Sequence, residues 1–253
     1  MNVLPAYVVV GAAGGIGSAL CRMLAARGSR LFLVGQTAGK LEALAAELRG
    51  LRADGEYAIR AADATVSAEI DACFAEATSR FGALTGVTNL VGSFLLKPAH
   101  LTTDAEFEQT LQLNSYCAFY TVRAAAKAMM ETGGSIVLAS TVAARIGLAN
   151  HEAIAAAKGA VNGLVLSAAA TYAARNIRVN AVAPGLVKTP LTAKLTSSEM
   201  ALKASTAMHP LGRVGEPDDV AAAIAWLLDP ATTWVTGQIL GIDGGLSTVK
   251  AKG

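Results

Sequence analysis

The sequence predicts an α/β domain built on a parallel sheet with helices on both faces. Three observations predict it. Apolar runs of strand length alternate with helix-patterned stretches over nearly the whole chain. The runs are continuously apolar, as in strands buried on both faces. The chain has 253 residues, 53% hydrophobic and 16% charged, which fits one large domain, or at most two small ones, and excludes disorder.

Ala6 to Val10 (AYVVV) is the first strand, and a glycine-rich turn leads into a helix from Ile16 to Arg27. Leu31 to Val34 is a strand, and Lys40 to Arg49 has its apolar residues at helical spacing. A short strand ends near Ala62, and Ser67 to Phe81 is a helix. Val87 to Val91 is a strand, followed by a long helix from about Asp104 to Met130. Ser135 to Ala139 (SIVLA) is a strand, and an alanine-rich helix covers Glu152 to about Ala174. Arg178 to Ala183 is a strand, Pro217 to Leu228 a helix with proline at its start, and Ile239 to Ile242 a last strand. Residues 187–210 lack a clear strand and are rich in Ser, Thr and Lys, with one short helical stretch. They read as a mobile loop over the site. No internal repeat, low-complexity tract or linker divides the chain.

The net charge of +2, with scattered basic residues, speaks against nucleic acid as a partner. Cys21, Cys73 and Cys117 are odd in number and have no metal-ligand spacing, so they read as buried thiols in a reducing compartment and no metal site is expected. The apolar N-terminus has no preceding basic region and reads as strand and turn, not as a signal segment. No uncharged apolar run reaches membrane-spanning length. A cytoplasmic protein acting on a small molecule, without a membrane partner, is expected.

Gly11-Ala12-Ala13-Gly14-Gly15-Ile16-Gly17 follows a strand and opens a helix. Such a turn lets the backbone approach a pyrophosphate, and the helix N-terminus offers free N–H groups and positive potential. Further along come Asp63-Ala64, Asn89-Leu90-Val91-Gly92 and Ser140. They are followed by Lys158, Arg178-Val179-Asn180-Ala181-Val182-Ala183-Pro184-Gly185, Gly215-Glu216-Pro217, Thr236-Gly237 and Asp243-Gly244-Gly245. In this order and spacing the chain resembles the short-chain dehydrogenase/reductase family. The resemblance spans residues 1–253 and implies a single doubly wound, Rossmann-type domain with a parallel sheet of about seven strands. Residues 1–135 would form the dinucleotide-binding half, and residues 136–253 the active-site and substrate-loop half.

The resemblance implies a cofactor site at Gly11, Gly15, Ile16, Gly17, Gln36, Asp63, Ala64, Asn89, Gly92, Lys158, Pro184, Gly185, Val187 and Thr189. Val10 stands where the family has Thr, and Asn89 to Gly92 is a degraded form of its N-N-A-G motif. The end of the second strand carries Gly35 and Gln36, neither the carboxylate that would hold a ribose 2′-hydroxyl nor an arginine for a 2′-phosphate. Gln36, Thr37 and Lys40 can bind a phosphate, and the missing acid tips the expectation toward NADP(H) over NAD(H). Gln36 is also compatible with either, and Gly14 stands where NADP-dependent relatives often carry Arg or Lys.

The same resemblance implies that Asn114 holds a water relay, that Ser140 bonds the substrate oxygen and that Lys158 grips the nicotinamide ribose. The family's general acid/base is a tyrosine four residues before the lysine. Here that position is Ile154, which cannot exchange a proton. His151 lies seven residues before Lys158, nearly two helical turns, where divergent enoyl-thioester reductases of the family place their tyrosine. Imidazole titrates near neutral pH, so His151 can replace the acid. It reads equally well as a residue of the helix-leading turn, next to Asn150 as N-cap. Glu152 reads as a first-turn acid, Tyr116 and Tyr120 as core or interface residues, and Arg145 as a surface residue. The expected function is an NAD(P)(H)-dependent oxidoreductase with a non-standard catalytic site, reducing a carbonyl or an activated double bond. The alternative is a dinucleotide-binding pseudoenzyme that senses redox state or partners an active subunit. The apolar character of the helix from Glu152, on more than one face, suggests a homodimer or homotetramer.

Overall fold

The computed structural model describes residues 4–250. The elements run β1 (Ala6–Val10), α1 (Gly15–Ala26), β2 (Arg30–Gly35), α2 (Ala38–Leu51), β3 (Tyr57–Ala61), α3 (Ser67–Phe81), β4 (Gly86–Asn89), α4 (Asp104–Leu111), α5 (Cys117–Met129), β5 (Gly134–Ala139), α6 (Glu152–Tyr172), β6 (Ile177–Pro184), α7 (Ala193–Thr196), α8 (Glu199–Met208), α9 (Pro217–Leu228) and β7 (Ile239–Ile242). The seven strands form one parallel sheet in the order β3-β2-β1-β4-β5-β6-β7. The chain builds outward from β1 to β3, then returns to lay β4 on the other side of β1. Successive connections therefore leave the carboxyl ends of β1 and β4 in opposite directions, opening a crevice where open α/β sheets bind ligands.

Strand side chains alternate between two cores. Val8, Val10, Phe32 and Val34 pack with Ile70 and Phe74 of α3 and with Val122, Met129, Val161 and Val165 of α5 and α6. Tyr7, Val9, Leu31 and Leu33 pack with Leu20, Leu24, Leu41 and Leu48 of α1 and α2, and with Ile224 and Leu227 of α9. Both sheet faces are covered, which is why the strands read as unbroken apolar runs. Cys21, Cys73 and Cys117 are buried free thiols, and burial pushes Cys73 up to about 11.

Four local expectations are corrected. The strand expected to reach Val91 stops at Asn89, whose Oδ1 accepts the Val91 N–H at 2.9 Å and turns the chain away. The expected single long helix is split into α4 and α5 by a π-helical turn, Gln112–Tyr116. Residues 187–210 are largely helical: a 3₁₀ turn at Pro190–Thr192, then α7 and α8. Thr189 and Thr192 cap the first piece and Ser198 accepts the Ala201 N–H to cap α8, so the polar residues start helices there. Asn150 is not the N-cap of α6. It takes a left-handed conformation (φ 63°), and His151 stands at the cap position.

Among the described residues one helical stretch, 152–175, is long and apolar enough to cross a membrane. It contains the whole of α6, whose inner residues Ala157, Val161, Val165 and Ala168 are buried against the sheet.

Candidate active site

The glycine turn is built for close backbone approach. Gly11 has φ +84°, and a Cβ there would stand 3.0 Å from the Leu90 and Val91 backbone. A Cβ on Gly17 would stand 2.2 Å from the Gly11 carbonyl oxygen. The turn opens directly into α1, which has no acidic residue in its first turn and no side-chain cap, leaving its first amides for an anion. In front of it lies a cavity of about 360 Å³, lined among others by Gly15, Gln36, Thr37, Lys40, Ala64 and Gly92. The shape, the free amides and the absence of an acid all fit a dinucleotide pyrophosphate.

Two of the sequence-derived cofactor residues face elsewhere. Asp63 turns its carboxylate onto Thr65, accepting from its N–H at 2.8 Å and its hydroxyl at 2.7 Å. These bonds, with a smaller contribution from Gln36, hold it below the usual carboxylate range. Its neighbours Ala62 and Ala64 line the cavity. Asn89 is buried and fully engaged: Nδ2 donates to the Cys117 carbonyl at 2.9 Å and to Thr121 at 2.8 Å. It anchors β4 to α5 and, by accepting the Val91 N–H, shapes the loop that leads to Gly92.

A second cavity, of about 420 Å³, adjoins the first, and Ile16, Gly92 and Thr189 line both. It collects Asn114, Ser140, His151, Ile154 and Lys158, together with Pro184, Gly185, Val187 and Thr189. The buried Lys158 Nζ donates to the Ala139 carbonyl at 2.7 Å. Burial lowers its pKa from 10.5 to about 8, opposed by neighbouring Cys117. Asn114 Nδ2 donates to the Thr110 carbonyl at 2.8 Å and to Ser93 Oγ at 2.9 Å. The first bond takes up a carbonyl four residues back, within the helical run that the π turn interrupts. A Cβ on Gly92 would be 2.9 Å from Asn114 Oδ1 and 3.5 Å from Lys158 Nζ, so this glycine lets the two groups converge.

Ile154 is buried and presents hydrocarbon to this cavity. His151 Nδ1 lies 2.7 Å from the Ala149 carbonyl, and its ring meets Phe94 edge-on at 6.2 Å. A carbonyl only accepts, so Nδ1 carries the hydrogen and Nε2 is left as the acceptor of the ring. Glu152 is an exposed first-turn residue, Tyr116 is exposed, and Tyr120 packs against the core. Arg145 is exposed and lies against Gly241 of β7.

Sequence reasoning missed Asn162 and His209. Ser140 Oγ donates to Asn162 Oδ1 at 2.6 Å, and Asn162 Nδ2 donates to the Ala144 carbonyl at 3.3 Å. Asn162 lies one turn beyond Lys158, a spacing that could have flagged it. His209 is buried, with Nδ1 at 2.7 Å from the Ser205 carbonyl and Nε2 accepting the Leu186 N–H at 3.3 Å. It ties α8 to the loop after β6. A side chain on Gly185 would collide with its ring, which is why that position is glycine. No sequence periodicity signals this contact.

The protein-family profile described as Enoyl-(Acyl carrier protein) reductase matches residues 11–247. The structure superposes with a TM-score of 0.93 on a short-chain type dehydrogenase/reductase from Mycobacterium ulcerans, at 31% identity over 98% of this chain and 91% of that one. The chain belongs to the short-chain dehydrogenase/reductase family. Members of this family are NAD(P)-dependent oxidoreductases. The chain is 38% identical to galactitol 2-dehydrogenase (L-tagatose-forming) of Cereibacter sphaeroides, covering 94% of this chain and 92% of the relative. It is also 38% identical to cis-4-hydroxycyclohexanecarboxylate dehydrogenase of Sinomonas cyclohexanicum, covering 96% of each. A short-chain fold solved with NADPH, a variant of actinorhodin polyketide ketoreductase, superposes with a TM-score of 0.91 at 29% identity over 97% of this chain and 98% of that one.

Proposed function

We propose that this chain is an NAD(P)(H)-dependent oxidoreductase that interconverts a carbonyl compound and its alcohol, with His151 in place of the family's phenol. The observation that carries the reading is convergence. Asn114, Ser140, Lys158 and His151 meet in one cavity that adjoins the glycine-turn cavity at the carboxyl edge of the sheet. Both relatives above are named as dehydrogenases of hydroxyl-bearing compounds. In the oxidative direction the carbinol C–H bond breaks with its electron pair passing to the nicotinamide, the O–H proton leaves to a base, and a C=O bond forms. A nicotinamide dinucleotide held at the glycine turn would supply or accept that hydride.

The chain's own residues handle the oxygen and the proton. Lys158 places positive charge beside the reacting oxygen and lowers the cost of alkoxide character there. Ser140 gives its hydrogen to Asn162, so its lone pairs face the cavity and it accepts from a substrate hydroxyl. His151, with Nδ1–H held by Ala149, exchanges the proton at Nε2, as acid when charged and as base when neutral. Asn114 fixes Ser93 and the π turn, and so part of the cavity wall. Lys40 and Thr37 line the glycine-turn cavity beside Gln36, and no Asp or Glu is among its described lining residues, which supports NADP(H) over NAD(H). The division into a dinucleotide half up to about residue 135 and an active-site half beyond it belongs to the same reading, as does residence in the cytoplasm.

The test is turnover of a broad panel of ketones, aldehydes, enones and their alcohols with both cofactors. Hydride transfer that is greatly slowed in Lys158→Ala supports the reading. Ile154 favours one alternative, a protein that binds the dinucleotide without chemistry. Cofactor binding with no transfer to any member of the panel would establish that instead.

A further inference from the structure

The cavity beside Lys158 is closed on one side by α8, a helix with no buried residue of its own. Ala201, Ala204, Ser205 and Met208 lie on one face of it, at helical spacing, and that face lines the cavity. Phe94, Leu148 and Ile154 line the same cavity. The lid therefore turns an apolar stripe toward a space that the protein itself does not fill. Among the described residues no Asp, Glu or Arg lines this cavity, and the one formal cation among them, Lys158, already donates to the Ala139 carbonyl.

The polar lining is mostly committed as well. Asn114 is bonded to Ser93 and Thr110, Ser140 donates to Asn162, Thr189 and Thr192 bond each other, and both His209 nitrogens are engaged. Among the lining side chains the unused capacity is the Ser140 lone pairs, the remaining Lys158 hydrogens, His151 Nε2 and the hydroxyl hydrogens of Ser93, Thr141 and Ser205. Three of these belong to the reacting centre. A ligand rich in hydroxyls would lose its water and find few partners, and a carboxylate would be desolvated away from any second cation.

We infer that the substrate is a neutral, predominantly apolar ketone or secondary alcohol, ring-bearing and with one reacting oxygen, whose hydrocarbon body completes the packing under α8. This rests on the oxidoreductase reading above and narrows it. It sets the chain apart from the polyol and the ring carboxylate that its two relatives are named for. The cavity of about 420 Å³ has room for a body of one or two fused rings.

The experiment measures ligand binding to the NADPH-loaded protein by calorimetry and thermal shift. The probes are a fused bicyclic ketone (2-decalone), galactitol and 4-hydroxycyclohexanecarboxylate. The expected result is that 2-decalone binds at least about tenfold more tightly than either polar probe. Ala204→Asp, on the open lid face, should weaken the ketone by about tenfold or more and leave NADPH affinity unchanged. Equal or tighter binding of galactitol or the carboxylate, no ketone binding at about 10 mM, or an unaltered ketone affinity in Ala204→Asp would each overturn the inference. Selective ketone binding without hydride transfer would instead defeat the oxidoreductase reading while leaving the ligand class standing.

Discussion

Lys158 shows how the site spends stability on chemistry. Its ammonium is buried, with one protein acceptor, and burial lowers its pKa from 10.5 to about 8. The unfolded chain therefore binds more protons between about pH 8 and 10.5, so stability should rise with pH through that window. Below pH 8 the full penalty remains. Lys158→Met should accordingly be more stable than the parent at pH 7, by on the order of 2 kcal/mol, and gain little at pH 10.5. Urea unfolding at the two pH values checks this; a destabilised variant at pH 7 would mean that the Ala139 bond outweighs desolvation. Ile154→Tyr is the complementary change. It puts a phenol one helical turn from the ammonium, which favours phenolate. Carbonyl reduction of simple ketones should appear or rise if the cavity admits the ring, read as NADPH consumption. Ser140, Lys158 and Ile154 were singled out in the sequence through the family resemblance, which places them at the end of a strand and on the helix that follows. Asn162 and His209 were not, because their partners lie 22 and 23 residues away and are reached only through tertiary packing.

At the scale of elements, strands were readable as unbroken apolar runs because both sheet faces are covered, surface helices because one buried face imposes a period, and α3, α9 and β7 have the expected bounds. The reading failed where side chains redirect the backbone. The π turn at Asn114 is one such place, where an asparagine side chain bonds the carbonyl four residues before it. The lid is the other. Ser, Thr and Lys suggested a loop, yet caps at Thr189 and Ser198 start helices whose apolar side faces the cavity instead of a core. His209 latches this lid, and both of its bonds require the neutral ring, since Nδ1–H donates while Nε2 accepts. His209→Phe would leave the Leu186 N–H without its acceptor, at a cost of about 1–3 kcal/mol. Amide exchange along α8 should quicken and KM should rise more than kcat falls. Unchanged exchange there would show that the lid is held by other contacts.

For the whole molecule, parallel topology places the glycine turn, Ser140, Lys158 and the lid on one carboxyl edge, though they are far apart in sequence. That edge was foreseeable from the βα alternation; the contents of the cavity were not, because they come from loops that carry no repeating pattern. The outer face of α6 is nearly uncharged, with Ala156, Gly159, Ala160, Gly163, Leu166 and Ala170 exposed, and Phe119 on α5 is 51% exposed. Small residues on such a face allow close helix packing, so light scattering at micromolar concentration should report a homodimer or homotetramer. A monomer would contradict this. The central claim is hydride transfer with His151 as the proton-exchanging group. It is tested most directly by single-turnover NADPH oxidation with the best ketone found, in the parent and in His151→Ala. The expected result is transfer in the parent and a loss of about 10²-fold or more in the variant at unchanged NADPH affinity. Full rate in His151→Ala at every pH, or no transfer by the parent while NADPH binds, would contradict it.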